Sequence, residues 1–277
     1  MSDLELNKSP FSIVIPTCKR LTSLARALDS LPEGAQVYIV DDSGEDSDDC
    51  IDALPQIQSL DVTVIKNDVS RGASYSRNLG ASLVSREWIC FLDDDDRLTD
   101  EYFRSLLKLT DSSPHVAAWI PDTVGGLRHE YGCVPANDVM KRNRVGGCSG
   151  FFVRKSLFDR IGGFDVDLRS MQDWDLWIRL LECDALYYSG QSGVIYDTSS
   201  RDKITHDLFK KYVGLRRLIF KHHGFWSHKT RKHHILRLWA LRFLLSPKAI
   251  RTRRSFLRAS RYPLLFIYFL KWSRYRT

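Results

Sequence analysis

The sequence predicts an α/β fold, a mainly parallel sheet covered by helices, with a basic helical extension at its C-terminal end. Three observations predict it. Short apolar, β-branched runs recur at 11–15, 37–40, 62–65 and 88–92, with helical stripes after the first and third. Polar and acidic residues gather directly after those runs, where ligands bind in open parallel sheets. The charge is also divided. Residues 201–277 hold 21 Lys/Arg against Asp202 and Asp207, while the first 200 residues hold 20 Lys/Arg and 32 Asp/Glu. The formal net charge of +7 is therefore a balance of −12 followed by one of +19. Such asymmetry predicts two modules, residues 1–200 and 201–277, in different surroundings.

Each element has its own warrant. Phe11 to Ile15 reads as a buried strand stopped by Pro16. Leu21, Leu24, Ala25, Leu28 and Leu31 follow at helical spacing. Val37 to Val40 is a second strand, closed by Asp41-Asp42-Ser43-Gly44, and Val62 to Ile65 is a third. A helix is expected over 74–83, and the strand Trp88 to Leu92 runs straight into Asp93-Asp94-Asp95-Asp96. Gly146, Gly147 and Gly150 crowd a turn before an apolar run, a place for close backbone approach to a ligand or for a plain turn. Trp174, Trp177, Ile178 and Leu181 mark the core face of a helix over 171–182.

Composition excludes several classes. Hydrophobic residues at 43% and charged residues at 27% are globular values. The six Cys stand at 18, 50, 90, 133, 148 and 183 with no C-x-x-C pair, which predicts reduced thiols and neither a disulfide framework nor a zinc ribbon. The opening MSDLELNKSP lacks the pattern of a secretory signal, and the longest late apolar run, Pro263 to Leu270, is eight residues. A cytoplasmic protein without a conventional membrane span is expected.

The four adjacent carboxylates are the sharpest chemical signal. Alternate residues at a strand end, Asp93 and Asp95, should point to one side, with Asp96 available just beyond. Mg²⁺ or Mn²⁺ takes one or two carboxylates together with waters and substrate phosphates. Most of the acidic stretch 41–52 reads as a solvated loop, and only Asp41 and Asp42 are given a role. Asp173 has two readings from spacing. Ser170-Met171-Gln172-Asp173 fits a capping box, or the carboxylate serves as a general base.

In order along the chain, Ser12-Ile13-Val14-Ile15-Pro16-Thr17, Val40-Asp41-Asp42-Ser43-Gly44, Ser76-Arg77-Asn78-Leu79-Gly80, Phe91-Leu92-Asp93-Asp94-Asp95-Asp96 and Gln172-Asp173-Trp174-Asp175-Leu176-Trp177 resemble the family 2 glycosyltransferases of the GT-A fold. The resemblance covers roughly residues 10–185. It implies a nucleotide-sugar donor, usually a UDP-sugar, and inverting transfer to an acceptor hydroxyl. It places Pro16 and Thr17 beside the nucleotide, Asp41 and Asp42 at the base, and Asp93 and Asp94 at the donor. Asp95, with Asp93, would be the direct ligand of Mn²⁺ or Mg²⁺, and Asp173 the base. Either Arg77 or Arg71 would organise the carboxylates or the diphosphate, and His206 could close over the metal. Two positions depart from the family pattern. Cys18 stands where an aromatic often follows Pro-Thr, and Gln172 replaces the usual Glu before the Asp.

In the basic extension, Leu208, Tyr212, Leu215 and Ile219 form one apolar stripe and Leu236, Trp239 and Phe243 another, both among cations. An aromatic-rich stretch runs from Tyr262 to Trp272. Basic amphipathic helices of this kind suit an anionic membrane surface. The expectation is a peripheral enzyme on the inner face of the cell membrane, acting on a glycan or lipid-linked acceptor in bacterial surface polysaccharide or lipopolysaccharide synthesis. The competing readings are a nucleotidyltransferase, which Pro16-Thr17-Cys18-Lys19-Arg20 disfavours by lacking Gly, and a non-catalytic nucleic-acid binder using the extension. Nucleic acid is not the expected partner.

Overall fold

The computed structural model describes residues 9–45, 50–112, 116–126, 128–183, 185–197 and 207–245. His206, the C-terminal stretch beyond 245 and part of the acidic loop after Glu45 lie outside the described residues. The chain divides into two compact units. The first comprises Met1–Asp167 and Gln172–Ser200, the second Leu168–Met171 and Arg201–Thr277.

In the first unit, the strands β1 (Phe11–Thr17), β2 (Gln36–Asp41), β3 (Asp61–Lys66) and β4 (Trp88–Phe91) lie parallel in the order β3-β2-β1-β4. β1 and β4 are buried throughout, as expected of central parallel strands covered on both faces. β3, at the end of the sheet, has no buried residue and is exposed at Asp61, Thr63 and Lys66. The sheet then continues through β8 (Phe152–Arg154), β6 (Ala118–Thr123), β9 (Tyr187–Ile195) and β5 (Arg97–Leu98), and β7 (Gly132–Cys133) pairs with β9. β8 is antiparallel to both β4 and β6. The predicted α/β architecture with a parallel half is therefore present, and the sheet becomes mixed beyond β4.

Pro16 does not end β1. The strand runs on to Thr17, with Pro16 level with Val40 and Thr17 level with Asp41. Proline lacks only the N–H, so its carbonyl and its extended backbone still suit a strand terminus.

Helices α1 (Leu21–Leu28), α2 (Ala73–Leu83), α3 (Asp100–Ser112), α4 (Ala136–Lys141), α5 (Lys155–Arg160) and α6 (Gln172–Leu181) complete the unit. One face of the sheet holds a cluster containing Ile13, Ile15, Trp88, Leu92, Tyr102, Trp119 and Phe152. Within it the Trp88 and Phe152 rings stack at 5.0 Å. A second aromatic group brings Phe91 against Phe151, Phe158 and Phe164 at 5.2–5.9 Å. Helix α2 lies directly on the sheet at Gly80, where a Cβ would stand 2.6 Å from Val14 Cγ1. That close approach sets the height of Arg77, about one turn earlier, above the strand ends.

In the second unit, α7 (Leu208–His222) and α8 (His228–Leu244) pack against each other. Asp207 and Ser227 cap them, accepting from backbone N–H groups of the first turns. Among the described residues, no helix is long and apolar enough to cross a membrane.

Candidate active site

The carboxyl ends of β1, β2 and β4 form one edge, and the acidic cluster unrolls from β4 across it. Its residues alternate. The Asp93 and Asp95 side chains keep 28% and 25% of their surface in solvent, whereas Asp94 is fully buried. Asp96 is buried as well. The alternation expected at a strand end thus presents Asp93 and Asp95 outward. Asp94 accepts from Thr17 Oγ1 at 2.7 Å and pairs with Arg20 at 2.6 Å. Burial, opposed by Arg20 and Thr17, raises its pKa to about 6.

Asp96 does not stand available beyond the pair. Its oxygens accept from Ser149 Oγ at 2.5 Å and from the Asp197 N–H at 3.2 Å, and burial raises its pKa to about 7. Ser149 Oγ in turn accepts the Asp93 N–H at 3.1 Å, so the glycine-rich turn is tied to the acidic cluster. Gly150 is needed there: φ is +77°, and a Cβ would meet Pro121 Cγ at 2.5 Å.

Two arginines answer the carboxylates. Arg77 is buried, pairs with Asp93 and lies over the Phe164 ring at 5.3 Å. Burial works against its charge, but Asp93, Cys148 and Asp173 together outweigh burial and the pKa is raised. Arg20 bridges Asp94 and, at 3.0 Å, Asp95. Burial lowers and the three carboxylates raise its pKa, with a net rise. The Arg71 guanidinium lies 4.9 Å over the Tyr75 ring.

The three polar residues before Leu79 each have a separate task. Ser76 accepts from Asn67, Arg77 holds Asp93, and Asn78 clasps both backbone groups of Phe164 at 2.8 Å. Successive residues on a helix diverge by about 100°, so three neighbours reach three different elements.

Asp41 and Asp42 also separate. Asp42 accepts from Asn67 Nδ2, Ser70 Oγ and the backbone N–H groups of Arg71 and Gly72, all at 2.7–2.8 Å. Burial raises its pKa, but these four donors outweigh burial and lower it. Its carboxylate is fully engaged in shaping the loop that leads into α2. Asp41 receives the Ser43 N–H at 2.9 Å through Oδ1, and Oδ2 has no bonded partner among the described residues. Pro16 is buried within β1, and Thr17 is buried with its hydroxyl directed to Asp94.

Asp173 opens α6. Its Oδ1 accepts the Trp174 N–H at 2.8 Å and its Oδ2 accepts from Asn143 at 2.6 Å. Burial raises its pKa to about 6, against the pull of the Trp174 N–H, Arg77 and Asn143. The capping box does not form, because Ser170 Oγ donates to the Lys210 carbonyl instead. Met171, at the entry to the helix, has φ +63°, a conformation costly for a side chain of this type and concentrated at functional sites. Trp174, Trp177, Ile178 and Leu181 are all buried, as their spacing predicts.

A family model described as Glycosyl transferase family 2 matches residues 12–160. The chain belongs to that family. The sequence is 26% identical to a glycosyltransferase of Haemophilus influenzae, over 73% of this chain and 76% of the relative. It is 28% identical to a PGL/p-HBAD biosynthesis glycosyltransferase of Mycobacterium bovis, over 64% of this chain and 71% of that one. The fold is similar to residues 1–349 of S. aureus TarS, solved with UDP-GlcNAc. The TM-score is 0.60 at 16% identity, covering 86% of this chain and 74% of that one. The longer TarS structure gives a TM-score of 0.59, and the chain spans 44% of its length.

This family 2 glycosyltransferase also uses residues that its motifs do not mark. Arg20, Asn143 and Ser149 each bond a carboxylate of the cluster or Asp173. Tyr196 lies among Asp95, Arg97, Arg26 and Asp197 in a cleft beside the acidic edge. Burial and the charges of Asp96 and Asp93 raise the Tyr196 pKa. Arg20 alone had a local signal, a cation three residues after the first strand; the others converge only in three dimensions.

The donor set suits a hard divalent cation sparingly. Arg77 occupies Asp93 Oδ1 and Arg20 occupies Asp95 Oδ2, leaving one outward oxygen on each. No group of three or more metal-ligating side chains gathers among the described residues. Two carboxylate oxygens fit Mg²⁺ or Mn²⁺ when phosphate and water complete the shell.

Proposed function

We propose that this glycosyltransferase moves a sugar from a nucleotide-sugar, a UDP-sugar, to a hydroxyl of a glycan or lipid-linked acceptor, with inversion at the anomeric carbon. One observation carries the reading. Asp173, held by Asn143 and the Trp174 N–H with a pKa of about 6, is in electrostatic contact with Arg77 and Asp93, which stand 96 and 80 residues earlier in the sequence. A proton acceptor is thereby brought beside the carboxylates and cations suited to a diphosphate.

In this mechanism Asp173 accepts the proton of the acceptor hydroxyl as that oxygen attacks the anomeric carbon. The bond from that carbon to the diphosphate oxygen breaks in the same displacement, and its electron pair leaves with the nucleotide. A pKa near 6 keeps Asp173 ionised at neutral pH yet basic enough to take the proton. Arg20 and Arg77 place positive charge at the edge where the leaving group gathers negative charge. Asp93 and Asp95 would hold Mn²⁺ or Mg²⁺, which when bound would offset that same charge. Asp41, buried at the end of β2 with Oδ2 unbonded among the described residues, is the group for a base N–H, while Asp42 and Asp94 hold the frame. The relatives support the donor and the acceptor class: TarS was solved with UDP-GlcNAc, and the M. bovis relative is a PGL/p-HBAD biosynthesis glycosyltransferase. Synthesis of a bacterial surface polysaccharide or lipopolysaccharide is the setting in which such an acceptor is used.

The test is calorimetric binding of UDP, GDP, dTDP and CDP with and without Mn²⁺. Binding of UDP that requires the cation and disappears in Asp95→Ala is the expected result. Well-folded protein that binds none of the four overturns the reading, and metal-independent binding removes the cation from it.

A further inference from the structure

The second unit carries a surface that glycosyl transfer does not explain. Between Leu208 and Leu244 the sequence has ten Lys/Arg and no Asp or Glu. The inner face of the α7–α8 hairpin is packed: Leu215, Leu218 and His222 are buried on α7, and Trp226 lies 4.3 Å from His234 of α8. The outer faces are not polar, as they would be on an ordinary surface hairpin.

On α7, Phe209 and Phe220 are 63% and 82% exposed. They share a face with the exposed Arg216 and Arg217, since residues 209, 216 and 220 recur at three- to four-residue multiples. On α8, Ile235, Trp239 and Phe243 stand at i, i+4 and i+8, and they are 46%, 63% and 57% exposed. Arg231, Lys232 and Arg242 flank that stripe and are exposed too. The sequence stripe on α7 is thus not the exposed one: Leu208, Tyr212 and Ile219 are half-buried and Leu215 is buried. Leu215 faces inward, and the exposed apolar groups are two phenylalanines outside that stripe.

From this surface we infer that the α7–α8 hairpin docks on an anionic lipid bilayer, lying in the interface without crossing it. Each exposed ring standing in water loses the free energy that burial would return, about 25 cal/mol per Å². A bilayer interface recovers it without a matching protein shape. Trp and Phe settle at headgroup depth, and cations beside them meet anionic headgroups. Two other occupants fit less well. Residues 245–277 bring nine further Lys/Arg and no acidic residue, so covering the hairpin with them would set cation against cation. Nucleic acid satisfies the charge, but Ile235 and Phe243 supply aliphatic and edge contacts that a stacked base does not require. The inference is independent of the donor, the metal and Asp173.

The test uses the full chain and vesicles of phosphatidylcholine, with and without phosphatidylglycerol. Co-sedimentation is expected only with the anionic vesicles. Two variants separate the forces: an apolar one, Phe209→Ser with Phe220→Ser and Trp239→Ser, and a charge one, Arg216→Glu with Arg217→Glu and Lys232→Glu. All six side chains are exposed, so circular dichroism should match the parent chain. Each cation near an anionic leaflet is worth about a fivefold change in binding, so the charge variant should lose more than about a hundredfold. The apolar variant should lose at least about tenfold and remain weak at low salt. Parent-like vesicle binding by both variants would assign the membrane to residues outside the hairpin and overturn the inference. So would failure of the parent chain to bind anionic vesicles, or an apolar variant that loses RNA binding while keeping vesicle binding.

Discussion

Replacing Asp173 by Asn should leave the protein as stable as before, or slightly more so, while removing most of its activity. The raised pKa fixes the sign. A carboxyl that binds its proton more tightly in the folded state adds stability as pH falls through about 6, and ionisation above that value works against folding. A rise from 3.8 to about 6 corresponds to about 3 kcal/mol at neutral pH. The residue as a whole is only half-buried, so solvent screening reduces this to about 1–2 kcal/mol. Asn keeps an oxygen for the Trp174 N–H at 2.8 Å, but its amide would face the Asn143 amide now 2.6 Å away. That mismatch costs about 1 kcal/mol, so the net change lies between zero and a gain of about 1 kcal/mol. Turnover should fall by about 10²–10⁴, the usual contribution of a positioned base. Thermal melting and initial rates at saturating donor measure the two quantities. In the parent enzyme kcat should fall about tenfold per pH unit below about 6, and the variant should lose that limb. A variant that keeps a tenth of parental turnover would refute the assignment. One destabilised by several kcal/mol would refute the account of the buried charge.

Asp42→Ala removes an acceptor from four donors at 2.7–2.8 Å and should cost about 2–4 kcal/mol in denaturant unfolding. Because the Asp42 pKa is lowered on folding, that contribution is present at neutral pH and is lost as pH drops below the ordinary carboxylate range. Gly80→Val, with the new Cβ 2.6 Å from Val14 Cγ1, should cost about 1–3 kcal/mol and weaken nucleotide binding by lifting α2, both readable from melting and calorimetry. Arg77→Lys should weaken UDP binding by at least about tenfold, since a point charge cannot both hold Asp93 and lie over Phe164; parent-like affinity would remove Arg77 from the donor site.

Much of the fold was legible because buried parallel strands are written as apolar runs, and α2 and α6 carry a helical period. The motif order also singled out Asp93, Asp95 and Asp173 as candidates. Where sequence and structure part, the cause is a partner distant in the chain. Pro16 was expected to end its strand, but pairing with β2 extends it to Thr17. Asp96 was expected to be available, but Ser149 and Asp197 claim it from 53 and 101 residues away. The capping box at Ser170 was one of two local readings, and the Lys210 carbonyl, 40 residues on, takes the Ser170 hydroxyl.

By itself the sequence determined the strand–helix alternation, the family, the acidic strand end and the division of charge, since each is a local pattern of residue type and spacing. Tertiary structure decided what each polar group does. A carboxylate's role depends on which donors reach it and how much water it keeps, so Asp41 and Asp42, or Asp93 and Asp94, are alike as letters and different as sites. The same holds on α7 and α8, where packing of one face left Phe209, Phe220 and Trp239 in solvent. Periodicity marks an apolar face, but only packing decides whether the protein itself covers it.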